Sequence, residues 1–151
     1  MRILSIMLIT LILMSSGCLS NVEDTINPEN ELFDDTIFID EDEHMKLTWN
    51  IDSVRTIRIT LELLDGPNID LYTMSETNYE SYKDCEAFNY ITQLSDPDTS
   101  NVNIEFNTEP GTYVTVIDNT DCGDAQPPDQ SGILSQDEND RARVQYKITA
   151  Q

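Results

Sequence analysis

Apolar and polar residues alternate with a period of two along most of this chain. Ile37 and Ile39 alternate with Phe38 and Asp40; Met45, Leu47, Trp49 and Ile51 alternate with Lys46, Thr48 and Asn50. Ile57, Ile59, Leu61 and Leu63 do so with Arg58, Thr60 and Glu62, and Val102, Ile104 and Phe106 repeat the pattern. Successive side chains of a strand point to opposite faces, so this period predicts half-buried strands with one face in a core. Short strands are also predicted at Ile69 to Thr73, Phe88 to Ile91, Thr112 to Ile117 and Val144 to Ile148. Turn chemistry separates them: Asp65-Gly66-Pro67-Asn68, Asp96-Pro97-Asp98 as a chain break, and Glu109-Pro110-Gly111. A long acidic loop is expected from Asp118 to Glu138. One helix is predicted, capped by Ser75 and running to about Lys83, with Tyr79 and Tyr82 on one side. About eight short strands with one short helix predict an all-β, two-sheet sandwich.

The N-terminus reads differently. Met1-Arg2 precedes an apolar run from Ile3 to Met14, broken only by Ser5 and Thr10 and followed by Ser15-Ser16-Gly17-Cys18. A positive start, an apolar core and small residues are the parts of a secretory signal. The run is 12 residues, against roughly 20 for a membrane span. Its Ser-Gly-Cys ending resembles the lipobox of prokaryotic lipoproteins, although Ser15 stands where that family usually has Leu. The resemblance implies cleavage before Cys18 and lipid on its thiol; an uncleaved apolar anchor is the alternative. Either places the rest of the chain at the outer face of a cytoplasmic membrane. The expected organisation is a signal peptide over 1–17, an acidic tether over 18–35 and a β-sandwich domain over 36–151.

With Cys18 set aside, Cys85 and Cys122 remain as an even pair, which outside the cytoplasm is expected to form a disulfide. The chain carries 8 Lys and Arg against 29 Asp and Glu, a net charge of -21. Such a surface repels phosphates, which excludes a nucleic-acid partner, and it disfavours docking on anionic headgroups.

Three segments carry a second resemblance. They are Gly66 to Met74 (GPNIDLYTM), Glu109 to Asp121 (EPGTYVTVIDNTD) and Ala142 to Thr149 (ARVQYKIT). In that order they resemble the jelly-roll sandwiches of the emp24/GOLD group and of the pre-peptidase C-terminal domains of secreted prokaryotic proteins, over residues 35 to 151. The resemblance implies a jelly-roll fold in a non-catalytic binding or accessory module. It gives Gly111 a turn role and Tyr113 and Ile117 packing roles.

Candidate chemistry is sparse. His44 follows the acidic run Asp40-Glu41-Asp42-Glu43 and reads as an exposed turn residue; with no Ser in a G-x-S-x-G setting, no catalytic residue is assigned. Hard cations take oxygen ligands from flexible acidic loops, so calcium is the one cofactor to consider, at Asp118, Asp121 and Asp124 or at the 40–43 run. Tyr72, Tyr79, Tyr82 and Tyr90 are candidate partner contacts, because tyrosine stacks on sugars and anchors protein interfaces; the same residues can instead pack the helix on the sheet. The expected role is a lipid-anchored, non-catalytic cell-surface module for an envelope protein or polysaccharide. A structural spacer or assembly subunit is the alternative, and a hydrolytic enzyme the third.

Overall fold

The computed structural model describes residues 29–126 and 140–151. The strands are β1 (Asn30–Ile39), β2 (Glu43–Ile51), β3 (Arg55–Asp65), β4 (Ile69–Met74), β5 (Asp96–Thr99), β6 (Asn101–Thr108), β7 (Gly111–Asn119) and β8 (Ala142–Ala150). Helix α1 (Glu76–Lys83) and a 3-10 turn (Thr92–Leu94) lie between β4 and β5. One sheet has the order β1-β8-β3-β6 and the other β2-β7-β4-β5. Every pairing is antiparallel. Consecutive strands from β1 to β4 alternate between the two sheets, which is the jelly-roll arrangement of a β-sandwich.

The alternation explains the core. Ile57, Ile59 and Leu61 on β3 are fully buried between the sheets while Arg58 and Glu62 face out. Burying each such side chain contributes about 1.5–3 kcal/mol. Ile117 joins this core, and Tyr113 stacks on Trp49 with ring centroids 4.5 Å apart. Ser75 caps α1: its Oγ accepts from the Asn78 N–H at 3.3 Å. Capping satisfies one of the unpaired N–H groups of the first turn.

A polar network is buried within the sandwich. The Trp49 indole N–H donates to Thr115 Oγ1 at 2.9 Å, and the Thr73 and Thr115 hydroxyls lie 2.9 Å apart. The Thr73 amide donates to Ser95 Oγ at 2.8 Å. A Thr115→Val substitution keeps the shape but strands the indole N–H and the Thr73 hydroxyl. We expect a loss of about 1–3 kcal/mol, read as a lower urea midpoint. Thr115→Ser, which keeps the hydroxyl, is expected to lose less.

Three expectations are corrected. The stretch Asn30 to Asp35, assigned to the tether, is the first half of β1. Its period is hidden by a register shift between Glu31 and Phe33, where an extra residue turns Leu32 and Phe33 together toward the core. Phe88 to Ile91 forms no strand, because the free edge of β4 is taken by β5. Asp96-Pro97-Asp98 does not break the chain but forms most of β5. Proline is tolerated there because β5 is an edge strand, and a register shift opposite Ile69 and Leu71 absorbs Asp98, whose φ is 50°.

Candidate functional site

The outer face of the β2-β7-β4-β5 sheet is covered over β4 and the second half of β7, while Thr48, Asn50 and Thr112 remain exposed. Ile69 and Leu71 on β4 point into the sandwich core, so Asp70, Tyr72 and Met74 point out, yet every β4 residue is buried. The covering elements are α1, the segment after it, and the loop that follows β7. Tyr72, Met74, Tyr79, Tyr82, Val114 and Val116 form a second small core, with Phe88, Tyr90 and Cys122 packed against it. Tyr72 lies 4.9 Å from the Tyr90 ring and 5.2 Å from Phe88. A Cys85–Cys122 disulfide, with Cα atoms 5.1 Å apart, joins the residue just past the helix cap to the loop after β7.

Strand register sets a row of polar residues across one end of this face. Asp118 on β7 sits opposite His44 on β2 and opposite Asp70 on β4. Asp70 is fully buried, and its carboxylate accepts from the backbone N–H of Asp98 at 2.6 Å and of Ala125 at 2.9 Å. Burial pushes its pKa up to about 6; the backbone donors oppose the shift, and the charges of Asp118 and Asp124 add to it. Asp118 is equally buried and is raised by burial as well. Its Oδ1 accepts from the Thr120 N–H at 3.0 Å. The buried Tyr82 hydroxyl beside it and the Thr120 side chain are its hydrogen-bond partners, and they oppose that shift. The two carboxylates converge on Gly123: a methyl there would stand 1.8 Å from Asp70 Oδ2 and 3.0 Å from Asp118 Oδ2.

The remaining candidates fall as follows. Tyr72, Tyr79 and Tyr82 are buried, so their assignment as partner contacts is corrected: they fasten the helix and its following segment to the sheet, whereas Tyr90 is half-buried beside them. His44 is not an exposed turn residue. It lies on β2, half-buried, with Nε2 3.1 Å from the Tyr79 hydroxyl and its ring edge-on to Tyr79 and Tyr82. Burial lowers its pKa, opposed by Glu43. Asp121 and Asp124 are exposed on the loop above the buried Asp118. Tyr72 ties that loop down, its hydroxyl accepting from the Asp124 N–H at 3.0 Å. Among the described residues no three His, Cys, Asp or Glu side chains are grouped to hold a metal ion, so the geometry adds no support for calcium at Asp118, Asp121 and Asp124 or at 40–43. Cys18 lies outside the described residues.

Asp70 was missed in the sequence. Its signal is a charged residue between Ile69 and Leu71 in an otherwise apolar strand end. Two shallow recesses flank the disulfide. One, of about 370 Å³, is lined by Asp42, His44, Tyr82, Lys83 and Asp121; the other, of about 390 Å³, by Tyr72, Glu86, Phe88, Tyr90 and Asp124.

No family model matches this chain. No curated protein matches it either. Among solved structures, the pre-peptidase C-terminal domain of a collagenase from Bacillus anthracis is similar, with a TM-score of 0.44 and 15% identity over 76% of this chain and 90% of that one. Similarity at that level assigns this chain to no family.

Proposed function

We propose that this chain is an exported, non-catalytic module, tethered by lipid on Cys18 at the outer face of a cytoplasmic membrane, where it binds an envelope protein or polysaccharide. The observation that carries this reading is the Cys85–Cys122 bridge. Disulfides persist in oxidising compartments, and this one uses both cysteines of the domain, leaving Cys18 after the apolar segment as the one thiol available for lipid.

The topology supports the same reading. β1 enters the sandwich at Asn30, opposite Ala150, at the pole that also carries the 52–54 and 109–110 turns. The acidic 40–42 turn and the 120–126 loop lie at the opposite pole. A chain held at Cys18 therefore turns its acidic pole outward. Fully extended, the stretch from Cys18 to Asn30 reaches about 40 Å, enough to hold the acidic domain off anionic headgroups.

A Cys18→Ser variant is expected to lose lipid and move from the membrane fraction to the soluble exported fraction, or to retain its signal. Mass spectrometry of the wild-type membrane fraction is expected to find an acylated Cys18 N-terminus. An intact Met1 on the mature protein would rule the lipid anchor out. Capture of one specific partner from detergent-solubilised membranes is the outcome expected of a binding module; self-association alone would favour a spacer.

A further inference from the structure

The layer over β4 stops short of one end of the sheet face. Where β4 gives way to α1, a cleft of about 250 Å³ lies between the helix start, the segment 89–91 and the first residues of β7. Pockets for drug-sized ligands run to about 300–1,000 Å³, so this one has room for a single ring. We propose, on the reading of the chain as a binding module, that the cleft takes one sugar ring of an uncharged polysaccharide, and that the open strip of β7 and β2 beside it carries the next.

A sugar ring presents C–H groups on its faces and hydroxyls around its rim. It therefore suits an aromatic wall set beside side chains that both donate and accept. The walls here are the buried Met74 and the half-buried Tyr90, Ile91 and Tyr113. Both tyrosines are held from behind. Tyr90 leans on Tyr72, with ring centroids 4.9 Å apart. Tyr113 stacks on Trp49, and its hydroxyl donates to the Glu109 carbonyl at 2.7 Å. The rim is supplied by Asn78, Asn89 and Thr112. Asn78 is fixed in place: its Oδ1 accepts from the Asn89 N–H at 3.1 Å, and its Nδ2 donates to Ser75 Oγ at 3.0 Å. One hydrogen of that amide is left for a ligand. Among the described residues the Asn89 and Thr112 side chains make no hydrogen bond. The Ile91 N–H donates to the Thr73 carbonyl at 2.7 Å and ties the outer wall to β4. A cleft held in this way is ordered before the ligand arrives, which favours affinity.

Charge selects among the possible ligands. The chain carries a net charge of -21, yet no acidic or basic residue lines this cleft. The recesses beside the disulfide differ, with Asp42, Lys83 and Asp121 in one and Glu86 and Asp124 in the other. The strip next to the cleft is also neutral. Thr112 lies opposite Asn50, and Thr48 opposite Val114, and all three polar residues are exposed. Lys46 and Glu76, at the border of the strip, pair with each other at 2.7 Å. An anionic polymer would meet the field of the whole chain with no cation in the cleft to offset it. A protein partner anchors in dry, fully desolvated pockets, whereas amides and hydroxyls rim this one.

The test is affinity electrophoresis of the full-length protein in detergent. The gels contain either the neutral or the acidic polysaccharide fraction of the envelope that carries the protein. Wild type is expected to be retarded by the neutral fraction alone. Asn89→Ala combined with Thr112→Val removes two rim groups at exposed positions, and is expected to weaken that binding by about five- to a hundredfold. Tyr90→Phe keeps the ring and is expected to bind like wild type; Tyr90→Leu is expected to lose about tenfold. Asn103→Ala, on the exposed face of the other sheet, is expected to change nothing. Amide shifts on adding the neutral fraction are expected to centre on Asn78, Asn89, Ile91 and Thr112. No retardation by the neutral fraction would overturn the proposal, and so would undiminished binding by the Asn89→Ala, Thr112→Val variant. If that variant still captures an envelope protein as wild type does, the cleft proposal falls and the binding-module reading stands. Self-association alone, without retardation, removes both.

Discussion

Reduction of the Cys85–Cys122 bridge is expected to lower the stability of the sandwich by about 3–4 kcal/mol. The cysteines are 37 residues apart in sequence. Cutting a crosslink that closes a loop of this length returns much of its conformational freedom to the unfolded chain. The loss is not confined to the unfolded side. Cys85 holds the segment that carries Phe88 and Tyr90, and Cys122 packs against the same aromatic group. The segment makes few regular hydrogen bonds of its own: the Ile91 N–H donates to the Thr73 carbonyl at 2.7 Å, and the Asn89 N–H to Asn78 Oδ1 at 3.1 Å. Without the bridge, the covering layer rests on those contacts, on Asp70 and on aromatic packing. Urea unfolding of the oxidised and reduced protein reads the difference, and a Cys85→Ser, Cys122→Ser double variant should match the reduced form. A difference under about 1 kcal/mol would mean that the covering layer is held by packing alone.

What could be read in the sequence and what could not divide along one physical line. Where a strand has one face in the core and one in water, burial forces an alternation, and β2, β3, β6 and β8 carry it. Where both faces are covered, the alternation gives way. β4 is such a strand, and its outward Asp70, Tyr72 and Met74 gave no hint of a second layer above them. The four tyrosines pointed to that layer, but composition does not tell a stacking platform from a packed face. Strand irregularities hid other features. The shift at Glu31 and Phe33 disguised the start of β1, and Pro97 in β5 looked like a stop because an edge position is a property of topology rather than of local residue type. The disulfide could be expected by elimination. The Asp70–Asp118 pair could not, since the two residues are brought together only by the β4–β7 register.

Gly66→Ala is expected to cost about 3 kcal/mol, more than loss of the turn conformation alone would give. Gly66 has a φ of 104°, a region that residues with a Cβ rarely adopt. Conformation accounts for about 1–2 kcal/mol of the penalty. The rest comes from the neighbouring chain. An added Cβ would stand 2.4 Å from the Arg141 carbonyl oxygen and 2.8 Å from the Ala142 Cα, both backbone atoms at the start of β8. Backbone cannot swing aside as a side chain does, so the β3–β4 turn or the first residues of β8 must move. The register shift between Leu63 and Asp65 on β3, opposite Val144 and Arg143, brings the turn across β8 at this point. Two companion variants separate the causes. Gly66→Asn relieves part of the conformational cost but not the collision, so it should stay close to Gly66→Ala. Gly111→Ala, at the other marked turn, has no positive φ and meets only the Tyr113 side chain, at 3.4 Å or beyond. It is expected to change stability by under about 1 kcal/mol. Thermal or urea unfolding of the three variants decides the matter: near-complete rescue by Gly66→Asn would show that the turn conformation, and not the close passage of β8, is what demands glycine at position 66.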